Sequence, residues 1–177
     1  MRRRWWTFNI YLVLLSLLLA GAGCLTTSNP DKKKKGKEAA MLEFHLQVQW
    51  NDNQHVQTIS VYRANPVTLK VNNIPAIDPV HVIKAEVVDD QFGGFALRLH
   101  FNRQGTWLLE NISVGNRGSR LAILCLTDQP RWLAAPLLDQ RISDGILTFT
   151  PDATREEADT IVKGINNVAA KVNLKDF

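Results

Sequence analysis

Hydrophobic and polar residues alternate along several short segments after residue 40, and strict alternation is typical of half-buried β-strands. In segment 43–50, EFHLQVQW, the apolar residues Phe44, Leu46, Val48 and Trp50 share one face, which leaves His45 on the opposite, outward phase. Segment 120–128, RLAILCLTD, is almost continuously apolar, which indicates a central strand. The same reasoning predicts further strands in 56–63, 66–71, 82–90, 95–102, 131–138 and 145–151.

Two segments change to a helical period. In 103–118, RQGTWLLENISVGNRG, the residues Trp107, Leu108, Ile112 and Val114 recur at helical spacing before glycines that end the helix. In 154–172, Thr154 and Glu157 have the spacing of a capping box, and apolar residues then recur every three or four positions. From residue 80 the order of elements is strand, strand, helix, three strands, helix. This order predicts an α+β fold with a single sheet of mixed or antiparallel strands and two helices packed on one face.

The first 24 residues have the three parts of a secretory signal: three arginines, the apolar run Ile10–Leu19, and small residues before Cys24. The apolar run is shorter than the roughly 20 residues of a transmembrane helix. Small residues before a cysteine resemble the lipobox of bacterial lipoproteins, although Gly21 stands where that family usually has leucine. The resemblance implies a lipid anchor on Cys24 that faces the periplasm, and Leu25 after it favours the outer membrane. An ordinary signal peptide or an uncleaved anchor are the alternatives.

Residues 24–40 are polar and lysine-rich without apolar periodicity, so a flexible tether is predicted there. Eight of the 21 Lys and Arg residues precede Met41, which leaves 13 of them against 15 Asp and Glu in the rest of the chain. The formal charge of +4 and the pI near 9.2 therefore arise from the leader and the tether. The positive charge was the main argument for a nucleic-acid partner, so we expect no such partner.

Candidate catalytic chemistry is sparse. The four histidines are scattered, with no close pair at metal-ligand spacing. Cys125 lies inside an apolar strand without an evident base, and it has no disulfide partner if Cys24 is lipidated. We therefore expect no enzyme activity, no metal site and no cofactor.

Segment 115–120, GNRGSR, has the glycines of a phosphate-binding loop, but it follows a predicted helix and precedes a predicted strand. A phosphate loop has the reverse order, so a turn that ends the helix is the better interpretation. Arg117 and Arg120 are then expected to bond helix-terminal carbonyls or to lie on the exposed face. Trp132 is expected in the core, or near a sheet edge, where it would anchor an extended peptide by strand addition. Arg117, Arg120 and Trp132 are the candidate interaction residues.

A series of turn, strand and cap residues runs through the second half of the chain: Gly118 with Arg120, Leu121-Ala122-Ile123, Ala134-Ala135-Pro136, Gly145, and Thr154 with Glu156-Glu157-Ala158. Their order resembles the periplasmic head domain of SecD, an accessory subunit of the Sec protein-export machinery, over roughly residues 80–170. The resemblance implies a fold more than an activity. SecD spans the membrane several times and couples protons through intramembrane charges, and this sequence offers no such helices, so no proton-driven motor is implied. The family's Asp-Gly hairpin is replaced by Thr127–Pro130.

These observations predict a signal peptide (1–23), a lipidated cysteine with its tether (24–40), an N-terminal β extension (41–79) and a SecD-head-like domain (80–177). The resemblance implies a non-enzymatic module that is attached to the membrane by its lipid and contacts exported polypeptides or Sec components. Such a module predicts an exposed apolar groove or an open sheet edge. The alternative is a structural envelope protein that self-associates, which predicts a large self-complementary patch. The sequence leaves the oligomeric state open.

Overall fold

Eight strands and two α-helices occupy the part of the chain that the structure, a computed structural model, describes: residues 38–48, 55–90 and 93–173. All of these residues belong to one unit, Gly36–Phe177. Cys24 and Trp50 lie outside the described residues. The elements are β1 (Met41–Leu46), β2 (Val56–Val61), β3 (Val67–Asn72), a 3-10 turn (Pro79–His81), β4 (Val82–Asp89), β5 (Phe95–Phe101), α1 (Arg103–Gly115), β6 (Leu121–Leu126), β7 (Arg131–Ala134), β8 (Ile146–Phe149) and α2 (Arg155–Asn173).

The strands form three antiparallel groups: a sheet in the order β1-β6-β7, the hairpin β2-β3, and a sheet in the order β4-β5-β8. The predicted α+β class, the antiparallel pairing and the central position of β6 are confirmed. The strands do not form the single predicted sheet. Alternation of apolar residues reports which face of a strand is buried, but it does not report which strands pair. The predicted extension 41–79 contributes β1 to the same sheet as β6.

The β1-β6-β7 sheet is buried on both faces. Phe44 of β1 and Ile123 of β6 are paired in register and face the larger hydrophobic cluster, which we name the main core. The next pair, His45 and Ala122, points to the other face, where the β2-β3 hairpin covers the sheet. The outward position predicted for His45 is therefore wrong, since the side chain is only 2% exposed. The hairpin core consists of Ile59, Val61, Leu69, Val71, Ala122 and Ala135, with Tyr62 and Trp132 packed against it.

Helix α1 begins at the cap residue Asn102, whose side-chain oxygen accepts a hydrogen bond of 2.8 Å from the Gly105 N–H. Its buried residues are Gly105, Leu109 and Ser113. Trp107 and Val114, which the sequence placed on the inner face, are 63% and 57% exposed. The prediction failed because two of the three buried residues, which recur every four positions, are small, and small residues carry no hydrophobic signal. Gly105 allows this close approach, since a Cβ there would clash with His81.

The turn that ends α1 is the segment GNRGSR, and its interpretation as a helix stop is confirmed. The Asn116 N–H donates to the carbonyl of Ile112 at 3.0 Å, and Gly118 has a φ of +84°. A positive φ at this place is the usual glycine solution for the end of a helix. The Gly118 N–H then donates to the carbonyl of Leu138 at 2.8 Å, which directs the chain into β6.

Helix α2 begins with the predicted capping box, which is confirmed. The Glu157 N–H donates to the Thr154 hydroxyl at 3.2 Å, and the Glu157 carboxylate accepts from the Thr154 N–H at 3.0 Å. Its apolar stripe, which includes Ala158, Ile161 and Ile165, enters the main core that Leu109 of α1 also joins. None of the helices within the described residues is long and apolar enough to cross a membrane.

The outer edge of β4 is closed by a side chain of α2. The Asn166 amide accepts from the Ala85 N–H at 2.8 Å and donates to the Ala85 carbonyl at 3.0 Å. The side chain thereby makes both hydrogen bonds that a neighbouring strand would make at this position. At this residue, the edge of β4 is not open to an added strand.

Candidate functional site

A groove of about 550 Å³ lies between the turn that joins β2 to β3 and the segment that follows β8. Most of its lining is apolar, and its volume lies within the range of about 300–1,000 Å³ that is usual for ligand-binding clefts. The lining residues are Tyr62, Ala64, Asn65, Val67, Pro136, Phe149, Thr150, Pro151 and Asp152. We name it the turn groove.

Tyr62 holds the turn groove against the rest of the domain. It is the non-glycine residue with a positive φ, +69°, among the described residues, and a bulky side chain adopts this conformation only when the surroundings impose it. Its hydroxyl oxygen accepts a hydrogen bond of 3.1 Å from the Ala135 N–H, just beyond β7. The ring therefore joins the hairpin to the neighbouring sheet while it forms part of the groove lining.

Two arginines and two carboxylates form a charged cluster beside the groove. Arg63 contacts Asp152 and Glu157, each at 3.2 Å, and Arg131 contacts the same Glu157 oxygen at 3.0 Å. The Asp152 side chain also accepts from the backbone N–H of Arg63 at 3.0 Å. The two positive and two negative charges balance, so the cluster links the hairpin turn to the start of α2 without a net charge.

The Glu157 carboxylate is stabilised in its ionised form by these partners. The hydrogen bond from the Thr154 N–H is the largest cause, and with the positive charges of Arg131 and Arg63 it holds the pKa of Glu157 below its ordinary value of 4.5. The side chain is 42% exposed, so the effect on stability is modest.

Metal-ligand groups and a reactive thiol are both missing from the described residues. Across residues 38–48, 55–90 and 93–173, no group of three or more His, Cys, Asp or Glu side chains could hold a metal ion. Burial raises the pKa of the Cys125 thiol to about 11, so little thiolate forms near neutral pH. The turn groove offers an apolar concave surface with polar groups at its side.

The three candidate interaction residues, Arg117, Arg120 and Trp132, differ in burial and in contacts. Trp132 is half-buried, and its ring meets that of His45 edge-on at a centroid distance of 5.2 Å. Arg120 is partly buried and donates to the carbonyl of Ala135 at 2.8 Å, next to Pro136 of the groove, so the expected bond to a helix-terminal carbonyl is wrong for Arg120. Arg117 is exposed. Their role in interaction stays a prediction, as does the lipidation of Cys24, which lies outside the described residues.

The predicted strand addition beside Trp132 meets an obstacle. β7 stands at the end of its sheet, but the carbonyl of Leu133 already accepts a hydrogen bond of 2.7 Å from the Asp152 N–H. The sequence did not predict the turn groove, which borders this contact. Tyr62 and Asp152 lie far apart along the chain, and neither belongs to a recognisable motif.

Comparison with known proteins supports the fold. Neither a protein-family model nor a curated protein matches the chain. Among solved structures, the chain is similar to a membrane component SecDF that enhances protein export, with a TM-score of 0.54 and 21% identity over 73% of this chain and 63% of that one. It is also similar to SecDF in a super-membrane-facing form, with a TM-score of 0.53 and 22% identity over 73% of this chain and 19% of that one.

The described chain therefore has an α+β fold like that of the SecD head, as its sequence resemblance implied. It spans less than two thirds of either SecDF chain. At this level of identity the similarity concerns the fold alone. Function depends on particular sites, and proteins with one fold can have different functions.

Proposed function

We propose that this chain is a lipid-anchored protein of the bacterial cell envelope whose SecD-head-like domain binds polypeptides during export. The lipid on Cys24 holds the protein on the periplasmic side of a membrane, the outer membrane being favoured. The lysine-rich tether gives the domain freedom to move above that surface. The domain acts by binding and not by catalysis, and export-channel subunits or exported precursors are its partners.

The turn groove is the observation that carries this proposal. A polypeptide-binding module needs an exposed apolar recess, and the groove combines the Tyr62 ring, Val67 and Pro151 in one lining. The neutral cluster beside it places no net charge against a passing chain. Fold likeness to SecDF, a component that enhances protein export, supports the assignment of polypeptides as the ligand class.

The groove also explains how a polypeptide would be held without strand addition at the protected edges. The edge of β4 is closed at Ala85 by Asn166, and the Leu133 carbonyl of β7 is occupied by Asp152. Side chains of an extended segment would contact the ring and proline surfaces, which tolerate many sequences because their attraction is non-directional. Low sequence selectivity suits a protein that meets many exported chains.

Site-specific photocrosslinking in living cells tests the proposal. A photoreactive phenylalanine replaces the groove residue Asn65 in the full-length protein, and the matched control places it at the exposed Lys163 of α2. A Cys24→Ala copy reports the dependence on the anchor. We expect export-channel subunits or secreted precursors to be captured from position 65 and not from position 163.

Two results would count against it. If position 65 captures only further copies of this chain or other envelope lipoproteins, the structural alternative is correct. If the Cys24→Ala protein reaches the same membrane fraction as the unchanged protein, the lipid anchor is wrong whatever the groove binds.

A further inference from the structure

An exposed stripe runs along α1 on the side away from the main core. Trp107 is 63% exposed and Val114 is 57% exposed. Seven residues separate them, which is close to two helical turns, so they lie on one line of the helix surface. Arg103, four residues before Trp107, lies on the same side and is also exposed. We name Arg103, Trp107 and Val114 the α1 stripe.

The charges around the α1 stripe are positive at both ends. Arg103 is the first residue of the helix, where the helix dipole disfavours a cation, and the first turn contains no acidic residue. Arg117 is exposed just beyond the other end. The acidic neighbour Glu110 is paired with Arg141, so it does not neutralise the stripe. An exposed arginine and an exposed tryptophan therefore lie close together at the start of α1, and the arginine gains nothing from the helix dipole.

An exposed tryptophan with flanking arginines has the composition of a membrane-interface contact. The length of chain between Cys24 and the described residues limits how far the α1 stripe can lie from a membrane that holds the lipid. Cys24 precedes Glu38 by 14 residues, which reach about 50 Å at full extension. A domain held by a lipid on Cys24 therefore stays within contact distance of the bilayer.

We infer that the α1 stripe docks the domain on the anionic phospholipid surface to which its lipid anchor is attached. Trp107 and Val114 enter the boundary between headgroups and acyl chains, and Arg103 and Arg117 contact the phosphates. A second copy of this chain is a poorer occupant. Antiparallel pairing of two stripes about a two-fold axis would bring the arginines of opposite ends together. The inference rests on the lipid anchor of the proposed function.

Spin-label accessibility on the lipidated full chain tests this inference. A label is attached to Val114→Cys, and the matched control is Leu137→Cys, whose native side chain is exposed to a similar degree, 49%. Protein without an added cysteine gives the background from the buried Cys125. Each protein is inserted through its lipid into vesicles of phosphatidylethanolamine and phosphatidylglycerol, and collisions with oxygen and with a water-soluble nickel complex are compared.

Docking predicts that the label at 114 collides more with oxygen than with nickel, whereas the label at 137 shows the opposite. Trp107→Ala should return the label at 114 to water, and Trp107→Phe should keep it at the interface. A label at 114 that behaves like 137 overturns docking, and so does protection from both reagents, which would indicate a protein contact. Flotation of the vesicles reports anchoring separately: protein that fails to float overturns the anchor and this inference together, whereas protein that floats with an aqueous label overturns docking alone.

Discussion

The main core and the hairpin core lie on opposite faces of the β1-β6-β7 sheet, and they differ in what holds them. The main core contains 21 buried residues of the described chain, and both helices and two of the sheets contribute to it. The hairpin core contains six, two of which are alanines: Ala122 of β6 and Ala135 just beyond β7. Polar contacts of Tyr62 and Arg63 lie at the margin of the smaller core.

Because of this difference in size, we expect the hairpin layer to unfold locally before the rest of the domain. Regions with few buried apolar contacts unfold locally at a lower free energy than the rest of the structure. The hairpin layer is such a region, and the turn groove borders it.

The largest effect is expected from Phe44→Ala, which removes a side chain that is 0% exposed in the main core. The change should lower the free energy of unfolding by about 3–5 kcal/mol, because a large cavity replaces the ring. Chemical denaturation monitored by circular dichroism measures it. Loss of exchange protection in β5 and α2 together would show that the main core opens as one unit, and protection lost near β1 alone would contradict this.

A smaller effect is expected from Leu69→Ala in the hairpin core. Leu69 is 6% exposed, and we expect a loss of about 2–3 kcal/mol, at the lower part of the range for Leu→Ala. The diagnostic readout is hydrogen exchange, in which β2 and β3 should lose protection while β5 keeps it. Equal loss of protection in both regions would mean that the two cores unfold as one cooperative unit, which would contradict the lower stability expected for the hairpin core.

Removal of the Tyr62 hydroxyl should cost about 1 kcal/mol, because Tyr62→Phe leaves the Ala135 N–H without its 3.1 Å partner. The ring stays in the groove, so binding of a polypeptide should change less than hairpin stability does. Denaturation and hydrogen exchange of the hairpin measure the cost. A variant with unchanged exchange in β2 would show that the hydroxyl does not hold the hairpin.

The smallest effect is expected from acid. The pKa of Glu157 is lower in the folded state than its ordinary value of 4.5, so its contribution to stability is present above that value and is lost as the pH falls through the folded pKa. The size should be below about 1 kcal/mol because the side chain is partly exposed. Glu157→Gln should flatten the dependence of stability on pH in this acidic window, measured by denaturation from neutral pH downward. An identical pH profile in the variant would assign the acid sensitivity to other groups.

Local signals in the sequence predicted elements of both cores, including the strands at 56–63 and 66–71 that the structure shows as β2 and β3. The capping box is a local signal because Thr154 and Glu157 lie three positions apart, and the alternation in β5 and in β8 can be read from each strand alone. Trp107 was misplaced because Gly105 and Ser113 fill the inner face of α1 without a hydrophobic signature.

The turn groove needed the structure, because its contacts join distant segments. Arg63 and Asp152 are 89 positions apart, and the positive φ of Tyr62 is imposed by tertiary contacts, since tyrosine has no preference for it. His45 was misplaced for a related reason: alternation shows two faces, but it cannot show that a hairpin covers the second one.

Binding of a permanently unfolded protein to two matched variants tests the central claim most directly. Val67→Glu places a charge in the turn groove, and Ile83→Glu places one on β4, at strand residues that are 36% and 38% exposed. The probe is fluorescent, reduced and alkylated α-lactalbumin, and its anisotropy is measured with the full-length protein. We expect Val67→Glu to weaken binding about tenfold, which corresponds to about 1.4 kcal/mol, and Ile83→Glu to leave it unchanged. Absence of binding by the unchanged protein, or equal loss in both variants, would contradict the claim that the turn groove receives polypeptides.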